Sequence, residues 1–322
     1  MPAAPLPTVP SLSSSPSFRG RIGCDASSGY YAVPRRYRLH LSLSCPHCLR
    51  IAITHSLLGL GKALPVALLP AVPDSPDGGH SALRPLYEAS SHRHPGPADA
   101  PVLSDDWTGR IVSTDTPGIL RDLARHFGGE GSTRPVLYPS GAEQEIEAVG
   151  HLCENGINEA AQQAGQAGRA GQADTDAMAR QSALSSLLRV LNSLEWRLTH
   201  QDFVLGDEMT AADVQLWVTL VQLDTVHRLH LDAAAVHRVA DHPHLWAYAR
   251  RLASHPAFGT HLDLDGIARR HHAHCQGLEA AGAAVQILDW PVHIVDAGAV
   301  QRRPDGFMEP QYALHLHPSG SA

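Results

Sequence analysis

The sequence predicts an α/β domain followed by an all-helical domain, and three observations support this prediction. Apolar and polar residues alternate strictly over 37–43, which is typical of a strand. Apolar residues at helical spacing follow, and then a second apolar run at 63–69. Beyond Ser140 the apolar residues recur at helical spacing. The chain has 322 residues, of which 43% are hydrophobic, and this is enough for two packed cores. We therefore expect the α/β domain at residues 21–135 and the helical domain at residues 136–276.

The two ends of the chain are expected to lie outside these domains. Residues 1–20 are rich in Pro, Ser and Ala and carry almost no charge, which predicts a disordered leader. A secretory signal has a basic region followed by an apolar region, and the leader has neither. We therefore expect a cytoplasmic protein. Residues 277–322 show little periodicity and are expected to form a C-terminal tail.

Composition argues against three classes of protein. The formal charge is −7, so no basic stripe is expected and nucleic acid is not an expected partner. The chain has no run of about 18 apolar residues, so we expect no membrane span. Five cysteines in 322 residues are neither dense nor even in number, which argues against a disulfide scaffold.

The α/β domain is predicted to contain four strands and at least two helices. Strands are expected at 37–43, 63–69, 100–103 and 110–113, with a polar Pro- and Gly-rich insertion at 70–100. The first helix follows the turn at Cys45-Pro46-His47-Cys48 and ends at Gly59. Thr116 followed by Pro117 predicts another helix start, with Thr116 as the N-cap.

The helical domain is predicted from apolar stripes and capping signals. Residues 162–173 are an Ala/Gly/Gln tract whose glycines predict a weak or broken helix. Thr210-Ala211-Ala212-Asp213 is a capping box that opens an apolar run. The other helices are expected at 143–154, 177–199, 214–223 and 244–254.

The turn at Cys45-Pro46-His47-Cys48 is the main candidate for chemistry. A helix N-terminus offers free N–H groups and the positive end of the dipole, and both stabilise a thiolate. Cys45, the outer cysteine, is therefore the candidate nucleophile. Cys48 lies at the spacing that allows a disulfide, and we favour a resolving role for it because a neighbouring thiol acts at a high effective concentration. Two packing cysteines remain the alternative interpretation.

Several motifs in one order resemble the glutathione transferases, and in particular the glutathionyl-hydroquinone reductases or Xi class. The motifs lie within about residues 18–275, and they are Arg36-Tyr37-Arg38-Leu39, Ser42-Leu43-Ser44-Cys45-Pro46, Leu83-Arg84-Pro85-Leu86-Tyr87, Ile111-Val112-Ser113-Thr114-Asp115-Thr116 and Asp241-His242-Pro243-His244-Leu245-Trp246-Ala247-Tyr248. The resemblance implies a thioredoxin-like N-terminal domain and a helical C-terminal domain. It also implies a homodimer, with glutathione or another small thiol as the co-substrate.

The resemblance further implies a thiol-binding site at Ala100, Pro101, Asp115 and Thr116. In this fold a cis proline lies against the active cysteine, and the backbone before it binds a peptide-like thiol. Asp115 and Thr116 stand at a helix start, where a carboxylate group of a ligand meets free N–H groups. A helix cap without a ligand is the alternative interpretation of this pair.

The chain departs from the family at positions that matter for the substrate. His47 and Cys48 stand where the family has Trp and Ala in the catalytic turn. In the family, two tyrosines hold the quinol oxygen. This chain has Gln162 at the position of one and His271 or His272 at the position of the other, and His227 stands at a third tyrosine position. The predicted substrate pocket consists of His47, Gln162, His227, His271 and His272.

The segment His271-His272-Ala273-His274-Cys275 contains zinc-ligand residue types. Adjacent residues on a helix point about 100° apart, so at most two of these could share one ion without help. We therefore expect no metal.

The function predicted from the sequence is a glutathione-dependent transferase or reductase that works through a mixed disulfide on Cys45. Reduction of glutathionyl-quinol adducts is the substrate class that the resemblance implies. Two alternatives remain: a glutaredoxin-like dithiol oxidoreductase using Cys45 and Cys48, and a non-catalytic binding module that kept the fold.

Overall fold

The structure is a computed structural model that describes residues 18–23, 29–127, 134–166, 173–231 and 239–275. The predicted tail at 277–322 lies outside the described residues, as does most of the predicted leader. Residues 18–20 differ from the expected disorder, because they pair with the end of a strand. Gly20 donates its N–H to Val112 O at 2.8 Å, and Thr114 donates to Phe18 O at 2.9 Å.

Within the described residues, the α/β half contains six strands and three α-helices. They are β1 (Arg21–Gly23), β2 (Gly29–Tyr31), β3 (Tyr37–Leu41), α1 (Pro46–Leu57), β4 (Val66–Leu68), α2 (Arg84–Ser90), β5 (Val102–Asp105), β6 (Arg110–Ser113) and α3 (Thr116–His126). The main sheet has the strand order β4-β3-β5-β6. β3 and β4 are parallel, which requires the α1 crossover, and the other two pairings are antiparallel. This arrangement confirms the predicted thioredoxin-like domain.

A small parallel pair of strands, β1 and β2, was not predicted from the sequence. Each strand has three residues, which is too short to show an alternating pattern. The buried carboxylate of Asp122 in α3 secures β1: it accepts the Ile22 N–H at 2.8 Å and the Arg21 Nε–H at 3.0 Å.

The main sheet is covered on both faces. Tyr37, Leu39 and Leu41 of β3 alternate with half-buried residues and belong to the main core together with α1 and α3. α2 packs against β6 and contributes to a second, smaller core. That core consists of Leu83, Tyr87, Ala98, Val102 and Ile111.

The rest of the described chain is helical, as predicted. The elements are α4 (Glu143–His151), a π-helical segment (Leu152–Glu159), α5 (Ala160–Gln166), α6 (Ala173–Leu198), α7 (Ala211–Thr225), a 3₁₀ helix (His227–His230), α8 (Pro243–Ser254), α9 (Pro256–Gly259) and α10 (Leu264–Cys275). The predicted capping box is present: Thr210 caps α7, and Asp213 accepts the Thr210 N–H at 2.8 Å. Of the predicted weak helix, 162–166 are helical and 167–172 lie outside the described residues.

The two halves share one continuous apolar core. α1 packs against α3 on one side and against α7 on the other. The helix that follows the Cys45 turn is therefore held by both halves of the molecule. Among the described residues, no helix has the length and apolar character that a bilayer crossing requires.

Candidate functional site

The backbone places Cys45 directly at the start of α1. Cys45 is the N-cap residue in an extended conformation (φ −89°, ψ 127°), and Pro46 takes the first helical position. Proline has no N–H group and its fixed φ suits this position, so the sequence starts the helix here. The Cys45 carbonyl accepts the first helical hydrogen bond, from Leu49 N–H at 2.9 Å.

Two serines attach this turn to the loop after β4. Ser42 Oγ donates to Pro70 O at 2.9 Å, and Ser44 Oγ donates to Ala71 O at 2.6 Å. The Cys45 N–H donates to Ser42 O at 2.9 Å. Because both hydroxyls and the backbone are bonded, the position of the Cys45 thiol is fixed relative to the sheet.

The surroundings of Cys45 favour a thiolate. Its pKa is lowered to about 6, first by a hydrogen bond from the Cys48 thiol and also by the backbone N–H groups of Cys48 and His47. The positive charge of Arg270 acts in the same direction, while burial opposes the shift. Cys45 is 5% exposed, so a small ligand must reach it through an adjoining cavity.

Cys48 has the opposite character. Its side chain is fully buried, and burial, followed by the hydrogen bond to Cys45, raises its pKa well above the ordinary value. A protonated thiol is a poor nucleophile, but its S–H can still donate to a neighbouring thiolate. The burial of Cys48 therefore counts against the resolving role that the two-residue spacing suggests, and that role stays a prediction.

A cavity of about 770 Å³ brings all four predicted thiol-binding residues together. Ala100, Pro101, Asp115, Thr116 and His47 all line it. The Ala100–Pro101 peptide bond is cis, as the resemblance implied. The cavity therefore joins the catalytic turn, the cis proline and the start of α3 in one concave site.

The start of α3 differs by one residue from the sequence prediction. The N-cap is Asp115, whose Oδ2 accepts the Gly118 N–H at 2.8 Å, while Thr116 is already helical. Pro117 is thus the second helical residue, and an aspartate caps as well as a threonine. The second oxygen of Asp115, Oδ1, is the one that a ligand amino group would use.

Arg50 and Gln215 were not among the predicted site residues, although both line this cavity. Arg50 of α1 donates to Gln215 of α7, and its Nη2 donates to His47 Nδ1 at 2.5 Å. Burial and then the charge of Arg50 lower the pKa of His47, so its imidazole is neutral near pH 7. The i, i+3 spacing of His47 and Arg50 was the available signal.

A second cavity of about 540 Å³ lies on the other side of Cys45. Ser44 and Pro46, which flank Cys45, line it together with Arg270 and His271 of α10. Within the part of the chain that is described, the Arg270 Nη1 is buried and makes no hydrogen bond. Arg270 therefore adds positive charge close to the thiolate, a role that the sequence did not reveal.

The predicted substrate-pocket residues are only partly brought together. His271 lines the second cavity, whereas Gln162 and His272 are exposed and line neither cavity. His227 belongs to the 3₁₀ helix after α7, and burial is the first cause that lowers its pKa to about 4. His47, the fifth predicted residue, lines the first cavity, so the structure places His47 and His271 at different cavities.

Comparison with known proteins supports the resemblance to glutathione transferases that the sequence motifs indicated. Residues 166–251 match the family model described as the glutathione S-transferase C-terminal domain. The glutathionyl-hydroquinone reductase PcpF of Sphingobium chlorophenolicum is 29% identical over 275 residues, which cover 81% of this chain and 82% of that protein. The glutathionyl-hydroquinone reductase YqjG of Escherichia coli K12 is 26% identical and covers 79% of each chain.

Solved structures show the same likeness. The glutathione-bound structure of YqjG superposes with a TM-score of 0.69 at 25% identity, over 81% of this chain and 89% of that one. A glutathione transferase from Gordonia bronchialis superposes with a TM-score of 0.70 at 29% identity, over 81% and 84%. These findings confirm the fold prediction and the resemblance drawn from the motifs. Over about four fifths of its length the chain is therefore similar to the glutathionyl-hydroquinone reductases, the Xi class of glutathione transferases.

Proposed function

We propose that the protein is a glutathione-dependent transferase that reduces glutathionyl adducts through a mixed disulfide on Cys45. One observation carries this proposal: a cysteine of pKa about 6 stands at a helix start beside the cavity that holds the cis proline and Asp115. Two relatives are named glutathionyl-hydroquinone reductases, and one similar structure is described with glutathione bound.

Glutathione fits the 770 Å³ cavity by its chemistry. It is a peptide-like thiol with an amino group and two carboxylates, and the cysteinyl part, the amino group and one carboxylate each have a proposed partner. The backbone at Ala100 pairs with the cysteinyl part, Asp115 Oδ1 takes the amino group, and the N–H groups at the start of α3 take a carboxylate. The glutathione sulfur then points towards Cys45, between the two cavities.

The reaction follows thiol exchange chemistry in two steps. The Cys45 thiolate attacks the sulfur of the glutathionyl adduct; an S–S bond forms, the S–C bond breaks, and the substrate carbon leaves with the electron pair and takes a proton. A second glutathione thiolate then attacks the mixed disulfide, which releases oxidised glutathione and restores the Cys45 thiolate. The substrate is reduced by two electrons and two glutathione units are oxidised.

The second cavity is where we place the body of the substrate. A glutathionyl quinol would set its ring beside His271 and Arg270, in the position that the resemblance assigns to tyrosines. An imidazole or guanidinium N–H can donate a hydrogen bond to a quinol oxygen, as a phenol O–H does. We therefore propose that the substrate is a glutathionyl adduct of a quinol-like ring whose oxygen is held by imidazole and guanidinium groups.

For Cys48 we propose the role of a hydrogen-bond donor that keeps Cys45 ionised. Its full burial and its raised pKa support this role. In the dithiol alternative, Cys48 would attack the mixed disulfide and release glutathione while the Cys45–Cys48 disulfide forms. The two-residue spacing favours that route, so the experiment below includes its product as an outcome.

Mass spectrometry after incubation with oxidised glutathione tests the proposal. A glutathione adduct on Cys45, absent in Cys45→Ser, is the expected result. Cys153→Ala is the matched control, because Cys153 is also buried but has a pKa raised to about 12 by burial. A Cys45–Cys48 disulfide without the adduct would support the dithiol route. Neither product would support a binding module without catalysis.

We also propose that the protein is a cytoplasmic homodimer with contacts from the helical half. Met178 and Trp196 of α6 are large apolar side chains that are 78% and 70% exposed, and a partner surface would cover them. A cysteine that must return to the free thiol after each turnover suits a reducing compartment such as the cytoplasm. Sedimentation of the wild type and of Trp196→Glu tests the dimer, with a monomeric wild type as the contrary result.

A further inference from the structure

Two imidazoles and a thiol converge beside the second cavity, on two separate segments of the chain. His230 ends the 3₁₀ helix after α7, while His271 and Cys275 lie one turn apart on α10. Their ligand atoms all lie within 4.8 Å of one another. The Nε2 atoms of the two histidines are 2.9 Å apart, and Cys275 Sγ is 3.7 Å from His230 Nε2 and 3.6 Å from His271 Nε2.

We propose that His230, His271 and Cys275 bind a zinc ion. Tetrahedral zinc has Zn–N distances of about 2.0–2.1 Å and Zn–S distances of about 2.3 Å, so its N···S edges are about 3.6 Å and its N···N edge about 3.4 Å. Both N···S distances in the structure already match this edge. The two imidazoles need to separate by about half an ångström to admit the ion, a shift that rotation of two side chains provides.

The third ligand comes from a part of the chain that the sequence argument did not consider. His271 and Cys275 are four residues apart and therefore lie on one face of α10. That pair alone would be insufficient, which is why the sequence predicted no metal. The fold supplies His230, 41 residues before His271, and places its ring against that of His271 with the centroids 4.9 Å apart.

The donor set points to zinc. A thiolate with two imidazoles suits a borderline-soft cation and does not suit Mg²⁺ or Ca²⁺, which prefer oxygen ligands. Three protein ligands leave the fourth tetrahedral position for water or another ligand, as in catalytic zinc sites. His271 also lines the 540 Å³ cavity, so this cluster borders the space beside Cys45.

Binding exchanges one proton for the ion. The Cys275 thiol loses its proton to solvent as the S–Zn bond forms, and the two neutral imidazoles donate lone pairs. No oxidant or reductant is needed. Cys45 is not a ligand, so zinc binding can be measured separately from the thiol exchange on Cys45. His271 is shared with the substrate position proposed above, and zinc would occupy one of its ring nitrogens.

The test uses the untagged full-length protein, stripped with a chelator and titrated with Zn²⁺ against a chromophoric competitor. We expect one equivalent of tightly bound zinc. His230→Ala, His271→Ala and Cys275→Ser should each weaken binding more than about 100-fold, since even outer partners of metal ligands are worth 10–100-fold. His272→Ala and His274→Ala are matched controls, because both side chains are exposed on the same helix, and they should bind zinc as the wild type does.

Cobalt(II) provides a readout on the unmutated protein. A thiolate-to-cobalt charge-transfer band is expected in the near ultraviolet, and it should persist in Cys45→Ser and vanish in Cys275→Ser. Zinc should also raise the Tm of the wild type and leave that of Cys275→Ser unchanged. Substoichiometric binding, equal loss in the exposed-histidine controls, or occupancy by copper with exclusion of zinc would each overturn the proposal.

Discussion

Replacing Cys48 by alanine tests the origin of the Cys45 thiolate. The hydrogen bond from the Cys48 thiol is the largest cause that lowers the pKa of Cys45 to about 6. Cys48→Ala removes this donor, whereas Cys48→Ser keeps an O–H in nearly the same place and is the matched control. We therefore expect the pKa of Cys45 to rise in the alanine variant and to stay close to the wild-type value in the serine variant.

The size of the effect follows from the two limiting pKa values. With the pKa of Cys45 at about 6, roughly nine tenths of the thiol is ionised at pH 7. At the free-cysteine value of about 8.5 only about 3% would be ionised, so the thiolate fraction falls at most about 30-fold. The fall is smaller in practice because the backbone N–H groups and Arg270 remain.

The assay must separate ionisation from reactivity. A thiolate of higher pKa is the better nucleophile, and a Brønsted slope of about 0.4–0.5 returns roughly tenfold over 2.5 pKa units. The alkylation rate at pH 7 would then change only about threefold, so the informative quantity is the midpoint of the pH–rate profile. We would measure iodoacetamide labelling of the Cys45 peptide by mass spectrometry from pH 4.5 to about 9.5, a range that brackets both limiting values.

Two results would refute this reasoning. Equal midpoints in the wild type and Cys48→Ala would show that the Cys48 thiol does not hold the thiolate. A glutathione adduct on Cys45 that accumulates in both Cys48 variants and not in the wild type would show that Cys48 resolves the disulfide, as its spacing suggested. If Cys48 is only a donor, adduct lifetimes should be alike in the wild type and Cys48→Ser.

Three further predictions concern other parts of the molecule. Cys45→Ser should abolish thiol transfer in a glutathione-coupled assay without lowering the Tm, and retained activity above a few per cent would exclude Cys45 as the nucleophile. Asp115→Ala should weaken glutathione binding in calorimetry and cost about 1 kcal/mol as a lost helix cap, while Asp115→Asn should restore the stability but not the affinity; unchanged affinity in both would make Asp115 only a cap. Asp213→Ala should lower the free energy of unfolding by about 3 kcal/mol in denaturant titrations, because the buried N–H groups of Val204 and Thr210 lose their acceptor. Asp207→Ala, at an exposed position, is the control, and equal denaturation midpoints for the two variants would contradict the argument.

Local patterns in the sequence were sufficient to predict most of the fold. The alternation over 37–43, the apolar stripe of α6 and the capping box at Thr210 each reflect interactions within a few residues. The strands β1 and β2 could not be predicted, because three-residue strands carry no pattern and depend on the distant Asp122. The helix start at Asp115 was misplaced by one residue, since Asp and Thr are both good N-caps.

Site residues could be predicted where their neighbours in the sequence indicate both the local structure and the chemistry. The neighbouring residues in the sequence indicate the roles of Cys45 and of the Ala100–Pro101 bond, and in the structure both lie at the 770 Å³ cavity or directly beside it. Arg270 lies more than 200 positions from Cys45, and no local pattern indicates that its charge reaches the thiolate. His230 and His271 meet only because α10 packs near the end of α7.

Because α1 is packed between the sheet-side helix α3 and the bundle helix α7, it forms part of the structural boundary between the halves. Truncation after residue 135 would expose to water the surface of α1 that packs against α7. The Arg50 guanidinium would lose Gln215, its partner across the boundary, and so would no longer fix the His47 ring. We therefore do not expect the α/β half to fold stably on its own as a small thioredoxin-like protein. A design that transfers the catalytic turn to another protein therefore needs α1 together with α3 and α7, the helices that pack against it.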